Sequence, residues 1–227
     1  MPLSVGIVDS GAAPALRRKL FAETRLLMRT DGRIDRAAAG DDALGHGAEI
    51  VRIVLDLAPA ASLVCAQAFS DRHAADAGLV AQGIHWCLEQ GARIINLSLG
   101  LRSDVEVLRH ACGRAAASGV LLVAAFPARG GPVYPAAYPE VLAVSGDARC
   151  DGPNWSVIEP GRLLGASTAA ADGTSHGGAS YAAARISGLA ALFFGAWPDA
   201  GVRDCMEWLE ADAAFCGRER RASPRAA

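Results

Sequence analysis

Short apolar runs recur along this chain, separated by stretches in which hydrophobic positions return with a helical period. Segments 4–9, 62–67, 93–98, 119–125 and 141–145 are nearly continuous in Val, Ile, Leu and Ala, as strands buried on both faces must be. Segments 46–57, 76–90, 104–118, 181–197 and 201–212 read as helices. This alternation predicts an α/β fold of three layers, with a mostly parallel central sheet and helices on both faces. Open sheets of this kind collect their ligands at the carboxyl ends of the strands. Asp9 closes the first run there, and Ser98, Leu99 and Gly100 close the third. Topology therefore places a candidate site before any motif is considered.

Size and charge narrow the picture. The 227 residues suit one domain, expected over 1–216, and the polar stretch 217–227 is expected to fray. A formal net charge of −2, with no basic stripe, argues against nucleic acid as a partner. No apolar run reads as long enough to cross a membrane, so none is expected as a partner. The chain opens straight into its first strand, without the charged and apolar regions of a signal peptide. Of the six cysteines, Cys65, Cys87 and Cys112 sit in apolar segments and none forms a CxxC pair. Buried free thiols in a reducing cytoplasm are expected, rather than disulfides or zinc ligands. No acid-rich loop suggests calcium, so neither a metal nor a cofactor is expected.

Three polar residues stand in small-residue settings. Asp9 ends Val5-Gly6-Ile7-Val8-Asp9 and is followed by Ser10-Gly11. His46 lies between Gly45 and Gly47, just ahead of a helical run, and Ser180 opens another. Taken singly, each has a plainer role: a turn-capping carboxylate, a glycine-flanked histidine, a helix N-cap. Together they supply acid, base and nucleophile in the order Asp, His, Ser, one of the orders in which this triad recurs on unrelated folds.

Over residues 5–192 the chain resembles the subtilisin-like serine peptidases, the subtilases. Ala58-Pro59-Ala60-Ala61-Ser62-Leu63 resembles the family's APxAxL turn, and Ile95-Asn96-Leu97-Ser98-Leu99-Gly100 its INxSLG substrate strand. Tyr134-Pro135-Ala136-Ala137-Tyr138-Pro139, followed by Val141-Leu142-Ala143-Val144, resembles YPAxYPxVIAV, and Glu159-Pro160-Gly161 resembles APG. Two serines compete for the nucleophile. Gly173-Thr174-Ser175 spells the family's GTS, but His176-Gly177-Gly178 follows it, a poor start for a helix. The run 180–193 resembles SxAxPxVAGxAAL, with Gly188 eight residues after Ser180 and Ala184 in place of the proline. A nucleophile at a helix N-terminus has backbone N–H groups beside its developing oxyanion, which selects Ser180. The resemblance implies that His46 is the general base and that Asp9 holds its tautomer. His176, in a glycine-rich loop, is the weaker alternative base. Glu49 stands where the family's HGTHVAG motif has its second histidine.

The resemblance also exposes departures. The family supplies an oxyanion donor from the Asn of an AAGN motif, where this chain reads Ala124-Ala125-Phe126-Pro127-Ala128-Arg129. Losing one such donor costs roughly a hundred- to a thousand-fold in turnover. The region of Ala128 and Arg129, with the backbone of Ser180, is expected to line the oxyanion hole instead. Ser98, Leu99 and Gly100 are implied as one wall of the specificity pocket, Ala125 and Phe126 as the other, with the Phe126 ring narrowing it. No pro-domain or long surface loop is read in the chain. The expected function is a cytoplasmic serine endopeptidase acting on a restricted peptide or protein substrate, such as a leader-bearing precursor. Compact subtilases of this kind occur in peptide maturation, including leader removal from the small subunit of quinohemoprotein amine dehydrogenase. The alternatives are a catalytically impaired peptide-binding module and a peptide macrocyclase using the same nucleophile.

Overall fold

The computed structural model describes residues 4–69, 75–173 and 177–219. In chain order the elements are β1 (Ser4–Asp9), α1 (Pro14–Arg17), β2 (Leu20–Met28), β3 (Ile34–Ala37), α2 (His46–Leu57), β4 (Ser62–Gln67), α3 (Ala77–Glu89) and β5 (Ile94–Leu97). They continue with α4 (Glu106–Ala117), β6 (Leu121–Ala125), β7 (Val141–Gly146), β8 (Trp155–Glu159), β9 (Leu163–Ala166), α5 (Ala179–Ala196), α6 (Val202–Ala211) and β10 (Phe215–Cys216). The strands form one sheet in the order β10-β8-β9-β7-β6-β5-β1-β4-β2-β3. Its pairs are parallel except β2 with β3 and β8 with β9. The expected three-layer α/β architecture is thus the observed one.

Alternation along β1 decides where the acid points. Val5 and Ile7 enter the core that α2, α5 and α6 close, whereas Val8 enters the opposite core under α3 and α4. With a side-chain period of two, Asp9 falls on the Val5 and Ile7 face, toward α2. The same rule along β5 sends Ile95 and Leu97 to the α3 side, and Asn96 toward α5, where its amide meets Ser187.

α5 is apolar on nearly every side, with Arg185 its one charged residue, as suits a helix mostly enclosed by protein. By length and composition it would cross a bilayer, contrary to the sequence reading, but most of it is buried between α2 and the sheet. Gly188 is the point of closest approach: a Cβ there would lie 2.9 Å from Leu57 Cβ. The absence of a side chain at Gly188 lets α5 lie against α2, and the two helices start, with Ser180 and His46, toward the carboxyl ends of the central strands β5 and β1.

Two expectations are corrected here. The sequence reading did not assign β2, β3, β8, β9 or β10. Of the expected tail, Gly217 N bonds Val157 O at 2.8 Å, Arg149 reaches Gly217 O at 2.6 Å and Arg218 pairs with Glu159 at 2.6 Å, whereas 220–227 lie outside the described residues.

Candidate active site

β1 delivers Asp9 fully buried at its carboxyl end. Oδ1 of Asp9 accepts Ser10 N at 2.7 Å and Ser10 Oγ at 3.1 Å, and lies 2.7 Å from His46 Nδ1. Ser10 Oγ in turn accepts the Gly47 N–H at 2.9 Å, so the turn after the acid also holds the helix that carries the base.

His46 is the first residue of α2, and its N-cap Gly45 adopts φ 68°, a left-handed conformation that favours glycine. Gly178, the N-cap of α5, likewise has φ 62°. Asp42 fixes the approach to α2: its carboxylate accepts Leu44 N at 3.2 Å, Gly45 N at 3.0 Å and Ala48 N at 2.8 Å. Gln67 ties the same loop to β1 and β4, accepting Gly40 N at 2.9 Å and donating to Ser10 O at 2.8 Å. Burial works against a charged His46 ring, but the hydrogen bond to Asp9 and the charges of Asp9 and Asp42 outweigh it and raise the pKa above 6.5. An imidazole held at Nδ1 by a carboxylate keeps Nε2 free to take a proton.

α5 begins at Ala179, slightly earlier than the sequence pattern suggests, which puts Ser180 in its first turn, where backbone N–H groups lack helical partners. Ser180 Oγ donates to Ser98 O at 3.1 Å. A buried chain of hydrogen bonds sets the height of this end: Ser98 Oγ lies 2.7 Å from Asn96 Oδ1 and 3.0 Å from Ser180 O. Asn96 Nδ2 then donates to Ser187 Oγ at 3.0 Å, within α5 itself. Tyr181, the residue after Ser180, has its ring centroid 6.2 Å from that of His46.

Two adjoining clefts meet at this point. One, of about 450 Å³, includes His46, Ser98, Leu99, Gly100 and Tyr181 in its lining. The other, of about 420 Å³, opens in front of Ser180 and shares Leu99 and Gly100 with the first. A profile described as "Subtilase family" matches residues 3–223.

The chain belongs to the subtilase family.

The minor extracellular protease Epr of Bacillus subtilis (strain 168) is 32% identical over 155 residues, covering 63% of this chain and 23% of Epr. Subtilisin DY of Bacillus licheniformis is 28% identical over 232 residues, covering 95% of this chain and 85% of subtilisin DY. The chain thus spans under a quarter of one curated relative and most of another. Among solved structures, the S41 psychrophilic protease superposes with a TM-score of 0.71 at 20% identity, covering 94% of this chain and 85% of its own. A lanthipeptide protease superposes with a TM-score of 0.69 at 16% identity, covering 91% and 78%. At such identities the likeness is one of fold.

Within this subtilase frame most of the predicted site residues converge. Asp9 and His46 are joined, and Ser180 lines the second cleft, which adjoins the His46 cleft at Leu99 and Gly100. Ser98, Leu99 and Gly100 line the His46 cleft, and Ala125 and Ala128 face Leu99 and Gly100 across the Ser180 cleft. Two expectations are corrected. Phe126 is outside the lining of both clefts; it packs against the α3–α4 core and borders a further cavity beside Ile158 and Leu163, which shares Pro127, Ala128 and Gly146 with the Ser180 cleft. Arg129 is exposed and also outside that lining, so its side chain is not placed as an oxyanion donor. The competing Ser175 and His176 lie outside the described residues.

The sequence reading missed Pro127, Val133, Gly146 and Thr168 as cleft residues, and Asp42, Gln67 and Ser187 as supports. The spacing of Ser187, seven residues and two turns beyond Ser180, was a usable signal. The others depend on pairings between distant segments.

Proposed function

We propose that this chain is a serine endopeptidase that cleaves after an uncharged, apolar residue of a peptide or protein substrate. The 2.7 Å contact between Asp9 Oδ1 and His46 Nδ1 carries the reading, because it leaves Nε2 as the acceptor a nucleophilic serine requires. Rotation of the Ser180 hydroxyl away from the Ser98 carbonyl frees its proton for His46. Oγ then attacks the scissile carbonyl, His46 passes the proton to the leaving amine, and water resolves the acyl-enzyme. The Ser180 N–H, at the positive end of α5, faces the developing oxyanion. The acyl side chain enters a cleft walled by Leu99, Ala125, Pro127, Ala128 and Val133, which among the described residues offers no charge to pair with.

We read the enzyme as a selective one, acting in peptide or leader-bearing precursor maturation. A lanthipeptide protease built on the same fold is the point of contact with such chemistry. Five buried cysteines suit a reducing, cytoplasmic setting.

Intact-mass analysis after a fluorophosphonate probe tests the reading. The parent chain is expected to gain one adduct, Ser175→Ala to retain it, and Ser180→Ala to lose it. An unlabelled parent that still binds peptide would establish the impaired, peptide-binding alternative. Product masses separate hydrolysis from macrocyclisation, since hydrolysis adds one water.

A further inference from the structure

The helices that carry the base and the nucleophile each bury one charged residue a turn or so beyond the reactive end. Glu49 of α2 and Arg185 of α5 are only 8% and 9% exposed. Buried charges need partners, and these two find them in one short segment. Glu49 Oε1 accepts the Ala171 N–H at 2.6 Å, while Oε2 pairs with Arg52 toward solvent. The Arg185 guanidinium spans two carbonyls of the same segment, Ser167 O at 3.3 Å and Ala170 O at 3.4 Å.

The segment they hold leads from β9 toward Ser180, and its Thr168 lines the cleft in front of the nucleophile. Thr168 already stands against the end of β7: a Cβ on Gly146 would lie 2.5 Å from Thr168 Cγ2. A carboxylate on an amide and a guanidinium on two carbonyls hold the segment from two helices, the 2.6 Å Glu49 bond being of the stronger, charge-assisted kind and the two Arg185 bonds longer. Glu49 and Arg185 contact none of the triad side chains by hydrogen bond, so any effect on catalysis runs through the segment.

We propose that Glu49 and Arg185 are positioning residues, which together clamp segment 167–171 as the wall against which the acyl side chain packs. The proposal rests on the peptidase reading for its catalytic consequence, though the clamp itself does not. Because the clamp is borne on α2 and α5, the wall keeps its register with His46 and Ser180. The wall matters most for a substrate whose side chain fills the cleft.

The experiment compares Glu49→Ala, Glu49→Gln, Arg185→Met, Arg185→Lys and the Glu49→Ala/Arg185→Met double variant with the parent. Hydrogen exchange over 167–171 reads the clamp without any activity, and kcat/KM for two peptide esters, Leu or Ala at the acyl position, reads its consequence. Glu49→Ala and Arg185→Met are expected to speed exchange of the segment about tenfold, the scale of a lost buried hydrogen bond. They are expected to cost the Leu ester about tenfold more than the Ala ester, without moving the pH midpoint set by His46. Glu49→Gln keeps the acceptor and should restore both readouts, and Arg185→Lys should fall between. The double variant should lose less than the product of the single losses, as partners on one segment do. Unchanged exchange in Glu49→Ala, equal losses for both esters, or no rescue by Glu49→Gln would each overturn the clamp. Should Glu49→Ala not fold, a parent-like Arg185→Met in both readouts would overturn it. A parent inactive on both esters would defeat the peptidase reading alone, and the exchange data would still decide on the clamp.

Discussion

Gly47 and Gly11 touch backbone to backbone: a Cβ on Gly47 would lie 2.2 Å from the Gly11 carbonyl oxygen, and 3.1 Å from Asp9 Oδ1. The second residue of the base's helix is therefore seated on the turn that follows the acid. A methyl group at Gly47 must push α2 outward by roughly 1 Å, and a displacement of that size costs about a hundredfold in rate. Gly47→Ala is expected to lower kcat at least that far and to bring the His46 pKa back toward 6.5, as titration by NMR would record. An alanine variant with parental kcat would mean that the turn yields and the contact is not decisive.

The His46–Asp9 pair sets opposite pH trends for activity and stability. The folded-state pKa of His46 is raised above 6.5 by Asp9 and Asp42, which outweigh the opposing effect of burial. The base works only when neutral, so kcat/KM should climb with pH through a midpoint above 6.5 and then level. Stability runs the other way. A raised folded pKa contributes fully below the unfolded value, and the contribution is lost as pH rises through the folded one. Asp9→Asn should shift the midpoint down and cost about 10⁴-fold in kcat, the loss seen when such a triad keeps its geometry with the wrong tautomer. Calorimetry from acid to alkaline pH should show the corresponding stability slope in the parent and its disappearance in Asp9→Asn.

How much of this was legible from the chain depended on burial. The central strands β1, β4, β5, β6 and β7 are apolar on both faces, so each announced itself as an uninterrupted run. β2 was hidden because its alternation is broken: a register shift between Leu20 and Ala22 puts Leu20 against one core and Ala22 and Leu26 against the other, while Phe21 and Leu27 are exposed. β8 and β9 are short, and their pairing with each other and with β7 is a tertiary fact. At the site, Asp9, His46 and Ser180 were readable because each sits at an element boundary marked by glycine. The direction of the Phe126 ring was not readable, since one residue beyond the end of β6 no period fixes the face. Glu49 and Arg185 were equally opaque: each is charged within a helical pattern, and only packing shows that both turn inward to one segment.

Thiol chemistry gives an independent check on the packing. Cys65, Cys87, Cys112, Cys150 and Cys205 are buried and Cys216 is exposed. Burial pushes the Cys112 and Cys205 thiols up to about 12 and Cys150 up to about 11, far from a reactive thiolate at neutral pH. Native protein treated with an aromatic disulfide reagent should release one rapid equivalent, which Cys216→Ser removes. The other five should react only on unfolding. Two or more rapid equivalents in the native state would show that one of the cores is open.

The oxyanion hole is where this subtilase departs furthest from its family's pattern, and its geometry discriminates between donors. Pro127 lines the Ser180 cleft but carries no N–H, while Ala128 beside it does. Arg129 is exposed and outside the lining, so Arg129→Ala is expected to leave kcat within about twofold, the scatter of a surface change. Ala128→Asn adds a side-chain amide at the cleft wall, one residue beyond Pro127, where AAGN ends when it is aligned on Ala124-Ala125. If only the Ser180 N–H now serves the oxyanion, the added donor should raise kcat by up to about a hundredfold while KM stays nearly constant. That split is expected because such a donor acts on the charge that develops in the transition state, not on the bound carbonyl. Steady-state kinetics on one peptide ester reads both variants. A large fall in kcat for Arg129→Ala would return the guanidinium to the site. An unchanged Ala128→Asn enzyme with robust turnover would mean that a second donor is already in place, with the Ala128 N–H the nearest candidate on the cleft wall.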